Sequence, residues 1–185
     1  MTRFLTTLGF LILCQISLGQ VKFANEFTVS NDFIEATQRT YITELYDAVS
    51  YTDLSKNDKK EVFNRLRENT KLFTKRGSVG FDENLVINKT KLPPSWDLLD
   101  GLNANFERIA DKVLPSDMSM EKIDSGISNF KGYTYVFFTS LIRMPDFERF
   151  TSQYIISVNN INYMIVVNSF KNLSFSDVIT DIKKE

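Results

Sequence analysis

The sequence contains no histidine, and its single cysteine, Cys14, falls within the first twenty residues. Without histidine there is no Ser-His or Cys-His pair, and the commonest general base is missing. With no cysteine after position 14, thiol nucleophiles, CxxC redox sites and thiolate metal sites are excluded from the rest of the chain. A zinc or iron site would have to use carboxylates alone, which suits neither metal. Glycine numbers seven and proline four. No GxGxxG or GxxxxGK sequence occurs, so the usual nucleotide cradles are absent. Gly77-Ser78-Val79-Gly80 has the wrong spacing for a nucleophile elbow, and no D-x-[DN]-x-[DN]-G calcium loop is present. Charges of both signs are interspersed and the net charge is −1. The basic stripe that nucleic-acid binding requires is missing. The later apolar runs, such as Tyr133 to Ile142, are about half the ~20 residues of a membrane span. No Gly/Ser-rich or Pro-rich linker and no internal repeat divides the chain.

What is present begins with an export signal. Arg3 supplies a positive n-region, Phe4 to Ile16 is mostly apolar, and Ser17-Leu18-Gly19 offers small residues three and one before a cut. Cleavage near Gly19-Gln20 makes residues 1–19 a signal peptide and leaves 20–185 as a single domain, secreted or periplasmic. Arg3 is the only charge removed, so the released chain carries −2 instead of −1. Lipid anchoring at Cys14 is disfavoured, because bulky Leu13 stands where a small residue is required.

Along the remaining chain, Asp32 with Glu35 reads as a helix cap, followed by Ile34, Tyr41, Ile42, Leu45, Ala48 and Val49 on one face. Ser55 and Asp58 cap a second helix carrying Val62, Leu66 and Phe73, ended by Gly77 and Gly80. Leu85-Val86-Ile87 fits a short strand. After Pro93-Pro94, Ser95 caps the most regular helix, with Trp96, Leu99, Leu102, Phe106, Ile109 and Val113 at steps of three and four, stopped by Pro115. From Tyr133 the period becomes strand-like. Tyr133 to Ile142 suits a strand covered on both faces, and Pro145 breaks it. Gln153–Val158 and Ile161–Val167 flank Asn159-Asn160, a two-residue hairpin turn that pairs Val158 with Ile161, Ile156 with Tyr163 and Tyr154 with Ile165. Those six share an apolar face that should lie on a helical layer. Ser174 and Asp177 cap a last helix with Val178, Ile179 and Ile182. The expectation is an α+β fold: N-terminal helices packed on a C-terminal antiparallel β-meander with a terminal helix. That meander and terminal helix, about a third of the chain, resemble the end of the Mog1/PsbP-like α/β/α sandwiches. The resemblance rests on pattern and transfers no residue and no activity.

No residue is assigned as catalytic, cofactor-binding or metal-binding. Ser119-Met120-Glu121-Lys122 matches S-x-x-K, but the S-D-N and K-T-G elements of those enzymes are missing. Three acidic pairs could in principle serve a glycosidase: Asp97 with Asp100, Asp146 with Glu148, and Asp177 with Asp181. Helix-start and turn roles explain them more simply. Asn88-Lys89-Thr90 and Asn172-Leu173-Ser174 are sequons that matter only in a glycosylating host. Sixteen Phe, seven Tyr and one Trp are a high aromatic content; on periodic helices and strands they are most simply core, and a surplus could instead line an apolar pocket between helices and sheet. Export together with the absence of catalytic residue types makes the leading expectation an exported, non-catalytic domain that binds a protein partner or an apolar small molecule. Its groove would be lined by residues such as Tyr135, Phe137, Met164 and Val166. The alternatives are a small carboxylate-dependent hydrolase or lytic enzyme, and a purely structural envelope component.

Overall fold

The computed structural model describes residues 26–36, 55–78, 82–112 and 117–183. The expected signal peptide, Cys14 and most of the first expected helix lie outside the described residues. In chain order the elements are β1 (Phe27–Val29), β2 (Phe33–Glu35), α1 (Lys56–Asn69), β3 (Thr70–Lys75), β4 (Asn84–Thr90), α2 (Trp96–Lys112), β5 (Ser119–Phe130), β6 (Tyr133–Met144), β7 (Phe147–Val158), β8 (Ile161–Ser169), α3 (Phe175–Val178) and β9 (Ile179–Ile182). Seven strands form one antiparallel sheet in the order β2-β3-β4-β8-β7-β6-β5, and β1 pairs with β9 in a second, two-stranded sheet.

This corrects the expected α+β arrangement of N-terminal helices on a C-terminal meander. Four strands come from the first half of the chain, and three of them extend the main sheet. Asp32 does not cap a helix: it sits in a turn, where its carbonyl accepts from the Arg76 amide at 2.6 Å. Asp and Ser favour turns for the same reason that they favour caps, since each side chain bonds nearby amides. Phe33 then enters β2 opposite Lys75 and is buried. Phe73, expected on a helix, lies in β3, which follows α1 without a connecting loop. Gly77, at φ +83°, forms the turn after β3 instead of ending a helix. The final helix is one turn long. Ile179 and Ile182 belong to β9, where Ile182 pairs with Phe27.

Several local expectations hold. Ser55 accepts from the Asp58 amide at 3.3 Å and caps α1. Ser95 accepts from the Leu98 amide at 3.2 Å and caps α2. The β7–β8 hairpin turns at Asn159-Asn160, with φ of 50° and 62°, and has the expected register from Val158↔Ile161 to Tyr154↔Ile165.

The main sheet is covered on both faces. Leu72, Val86, Val136, Ile155, Met164 and Val166 pack with Leu98, Leu99 and Leu102 of α2. Leu85, Ile87, Tyr154, Ile156, Tyr163 and Ile165 pack with Phe175, Val178, Ile179 and Ile182 from α3 and β9, and with Phe27 from β1. The apolar face of the hairpin thus lies on the β1–β9 pair and α3, and α2 takes the opposite face. Trp96, expected on the buried side of α2, is 66% exposed, so the buried stripe of α2 begins at Leu98 and Leu99.

Candidate functional site

The parity of residues along β6 decides what faces what. Tyr135 pairs with Ile156, Phe137 with Tyr154 and Thr139 with Ser152, so these residues share the face that carries α3. Val136 and Phe138 point the other way, and Phe138 meets Phe106 of α2 with ring centroids 5.3 Å apart. The expected groove of Tyr135, Phe137, Met164 and Val166 therefore does not exist as one surface. Tyr135 and Phe137 lie on the α3 side, whereas Met164 and Val166 lie under α2.

On the α3 side the chain leaves a half-open recess of about 310 Å³. Its floor is Tyr135, Phe137 and Thr139 of β6 with Tyr154 of β7. One wall is Asp124 and Ser128 of β5, and the other is the segment from Asn172 through Phe175 to Asp177. Tyr135 stacks on Phe175 with centroids 4.6 Å apart, and Tyr154 meets the edge of the same ring at 5.3 Å. Offset and edge contacts of this kind fix ring positions as well as burying area.

Two features of β5 open the recess. A β-bulge at Ile123 shifts the pairing, so that Lys122 lies opposite Ser140 and Asp124 opposite the next residue, Thr139. Strict alternation would put both charges on one face. The bulge instead leaves Lys122 on the α2 side, donating to Asn103 Oδ1 at 3.1 Å, and aims Asp124 at the recess. Two residues on, Gly126 pairs with Phe137. The Phe137 ring lies over it, with Cε1 and Cζ 3.1 and 3.2 Å from where a β-carbon on the glycine would stand. Only a residue without a side chain lets the ring lie down toward β5 and leave space above.

Several polar groups around the recess are committed. The Tyr154 hydroxyl donates to the Leu173 carbonyl at 2.6 Å, and burial pushes its pKa up to about 12. Thr139 Oγ1 and Ser152 Oγ are bonded at 3.0 Å. Asp177 Oδ2 accepts from the Ser174 hydroxyl at 2.6 Å and the Ser174 amide at 2.8 Å. These bonds, the hydroxyl's foremost, hold its carboxyl below the ordinary value. Among the described residues Asp124 Oδ1 accepts only from the amide of its neighbour, Ser125, and the carboxylate remains exposed.

The motifs singled out in the sequence fall elsewhere or serve the scaffold. Ser119 and Lys122 lie on β5 with Lys122 bonded to α2, so they form no nucleophile pair. Asp97 and Asp100 are exposed on α2, and Asp146 and Glu148 are exposed around the β6–β7 turn. Asp181 is paired with Lys131 at 2.7 Å. Of the two sequons, Asn88 is buried in β4 and accepts from Thr70 at 3.3 Å, whereas Asn172 is exposed at the rim of the recess. Among the described residues no group of three His, Cys, Asp or Glu is placed to hold a metal, and no helix is long and apolar enough to cross a membrane. Sequence reasoning missed Asp124, Gly126 and Phe175. The Pro145-Asp146 turn held a usable signal, because a two-residue hairpin there pairs Met144 with Phe147 and so puts Phe137 beside Tyr154.

No protein-family model matches the chain, and no curated protein matches it. Among solved structures, the chain is similar to the solution structure of cyanobacterial PsbP (CyanoP) from Synechocystis sp. PCC 6803, at 13% identity and a TM-score of 0.43, over 83% of this chain and 85% of that one.

Proposed function

We propose that the protein is an exported, non-catalytic binding module that holds a small molecule in the recess between β5, β6 and the Asn172–Asp177 segment. The observation that carries this reading is the recess itself. Its aromatic floor is fixed by mutual ring contacts, and its size falls at the lower end of small-molecule sites, roughly 300–1,000 Å³. Its walls come from sheet strands and a capped turn, so the space exists before a ligand arrives, and preorganised sites waste little binding energy on ordering. Export rests on Arg3, the apolar run after it and the Gly19-Gln20 cleavage pattern.

The chemistry around the recess favours holding over transforming. A tyrosine with its pKa raised to about 12 and its proton committed to a carbonyl is no base at neutral pH. The carboxylate-dependent hydrolase gains no observation in its favour. Among the described residues each carboxylate is exposed, caps a helix, or sits near a lysine or arginine, as Glu26 does near Lys89 and Asp82 near Arg149.

Native mass spectrometry of the protein purified from its own host tests the reading. A co-purified small molecule is expected, and it should be lost in a folded Gly126→Leu variant, whose added side chain drives the Phe137 ring into the recess. A ligand retained by that variant would place binding elsewhere and overturn the assignment.

A further inference from the structure

We infer that the recess selects a small organic cation, an amine or quaternary ammonium with an apolar body, over a neutral or anionic molecule of the same size. This rests on the recess being the binding site and specifies what it takes. Among the described residues the charged side chains lining it are both carboxylates, Asp124 and Asp177, and no lysine or arginine lines it. Asp177 is locked in place by Ser174. Lys131, which could have neutralised this region from the β5–β6 turn, is bonded instead to Asp181 at 2.7 Å and the Thr180 carbonyl at 2.9 Å.

Below the carboxylates lies a floor of phenol and phenyl rings. An aromatic face carries negative quadrupole density, and aromatic rings form recurring cages for ammonium groups. A polyol would need an array of free hydroxyl and amide partners. Here the floor hydroxyls are committed, Tyr154 to Leu173 and Thr139 to Ser152, which leaves Ser128, Tyr135 and Asn172 as the neutral polar side chains open to such a ligand. An anion would meet two carboxylates in a half-open space with no counter-charge. The bulge at Ile123 supports the same reading, because it turns Asp124, and not the neighbouring Lys122, toward the rings.

The test titrates the purified protein with three probes of one shape, benzyltrimethylammonium, benzyl alcohol and phenylacetate, followed by calorimetry and by the NMR signals of the tyrosine rings. Benzyltrimethylammonium is expected to bind about tenfold or more tightly than either other probe. Asp124→Asn should reduce that preference by about tenfold, since the amide oxygen can still accept from the Ser125 amide while the charge is lost. Gly126→Leu should remove binding of all three. Equal affinity for the cation and the alcohol would overturn the charge selectivity while leaving the recess as a binding site. Failure of all three probes to bind, in protein that folds normally, would overturn the inference, and a host ligand lost in Gly126→Leu would still uphold the recess.

Discussion

Arg149 is a guanidinium placed almost wholly out of water, 2% exposed on β7, with little to show for it. Nη1 donates to the Asp82 carbonyl at a long 3.4 Å, and Nε has no hydrogen-bond partner among the described residues. Burial pushes its pKa down, and the charge of Asp82 only opposes that shift. Removing a charge from water costs several kcal/mol, and a single long hydrogen bond does not return it. The aliphatic stem, by contrast, fills its space like any apolar side chain. Arg149→Met, which keeps the stem and discards the charge, is therefore expected to leave stability unchanged or to raise it by about 1 kcal/mol. Urea denaturation measures this. A loss larger than about 2 kcal/mol would mean that the guanidinium is stabilised by its surroundings to an extent that its one long bond does not account for.

At the scale of elements, the β7–β8 hairpin depends on two asparagines held in the left-handed region. Glycine adopts that conformation without a side-chain penalty, and a β-branched residue adopts it only with strain. Asn160→Gly should raise the thermal midpoint slightly, by the equivalent of about 0.5 kcal/mol. Asn160→Val should lower it by the equivalent of about 1–2 kcal/mol. A valine variant as stable as the parent would show that the turn has another conformation open to it. This hairpin was readable from sequence because its turn residues and its alternation agree, and β4 was readable as Leu85-Val86-Ile87. β5 was not. Ser119, Glu121, Lys122, Asp124, Ser125 and Ser128 are the residues of a polar edge, and the bulge at Ile123 breaks the period that would have revealed a strand. β3 was hidden because it follows α1 directly at Thr70, so helical spacing runs on into Phe73. In the sequence, the aromatic residues of the recess show only as part of a high aromatic content. Their partition between two faces depended on the β6–β7 register, which alternation within a single strand cannot supply.

Across the described residues, three carboxyls have a pKa below the ordinary value: Asp181, Asp177 and Glu83. In Asp181, the bond from Lys131 lowers it. In Asp177, the Ser174 hydroxyl and amide lower the pKa. For Glu83, burial pushes it up, but bonds from Lys75 at 2.6 Å, Ser169 at 2.7 Å and the Phe170 amide at 3.3 Å outweigh that and leave it below the ordinary value. Glu83 thereby ties the end of β3 to the end of β8. A carboxyl whose pKa is lower in the folded chain than in the unfolded one adds stability above the unfolded value. That stability disappears as the pH falls through the folded value. Thermal midpoints should therefore be level above the ordinary carboxyl range and fall in acid below it. Glu83→Gln should be less stable than the parent at neutral pH, by about 1–2 kcal/mol, and lose less on acidification. Parallel acid profiles for the two proteins would remove Glu83 from this account.

The bulge in β5 has an effect beyond aiming one carboxylate. β5 is the last strand of the main sheet and one of its longest. A row of free amides and carbonyls twelve residues long would be a template on which another copy could lay its own strand. The bulge kinks that row near its middle, and Glu121, Lys122 and Asp124 crowd charge around the kink. An incoming strand would have to break its own ladder to follow it. The irregularity that shapes the recess thus also makes β5 a poor template for edge-to-edge strand pairing.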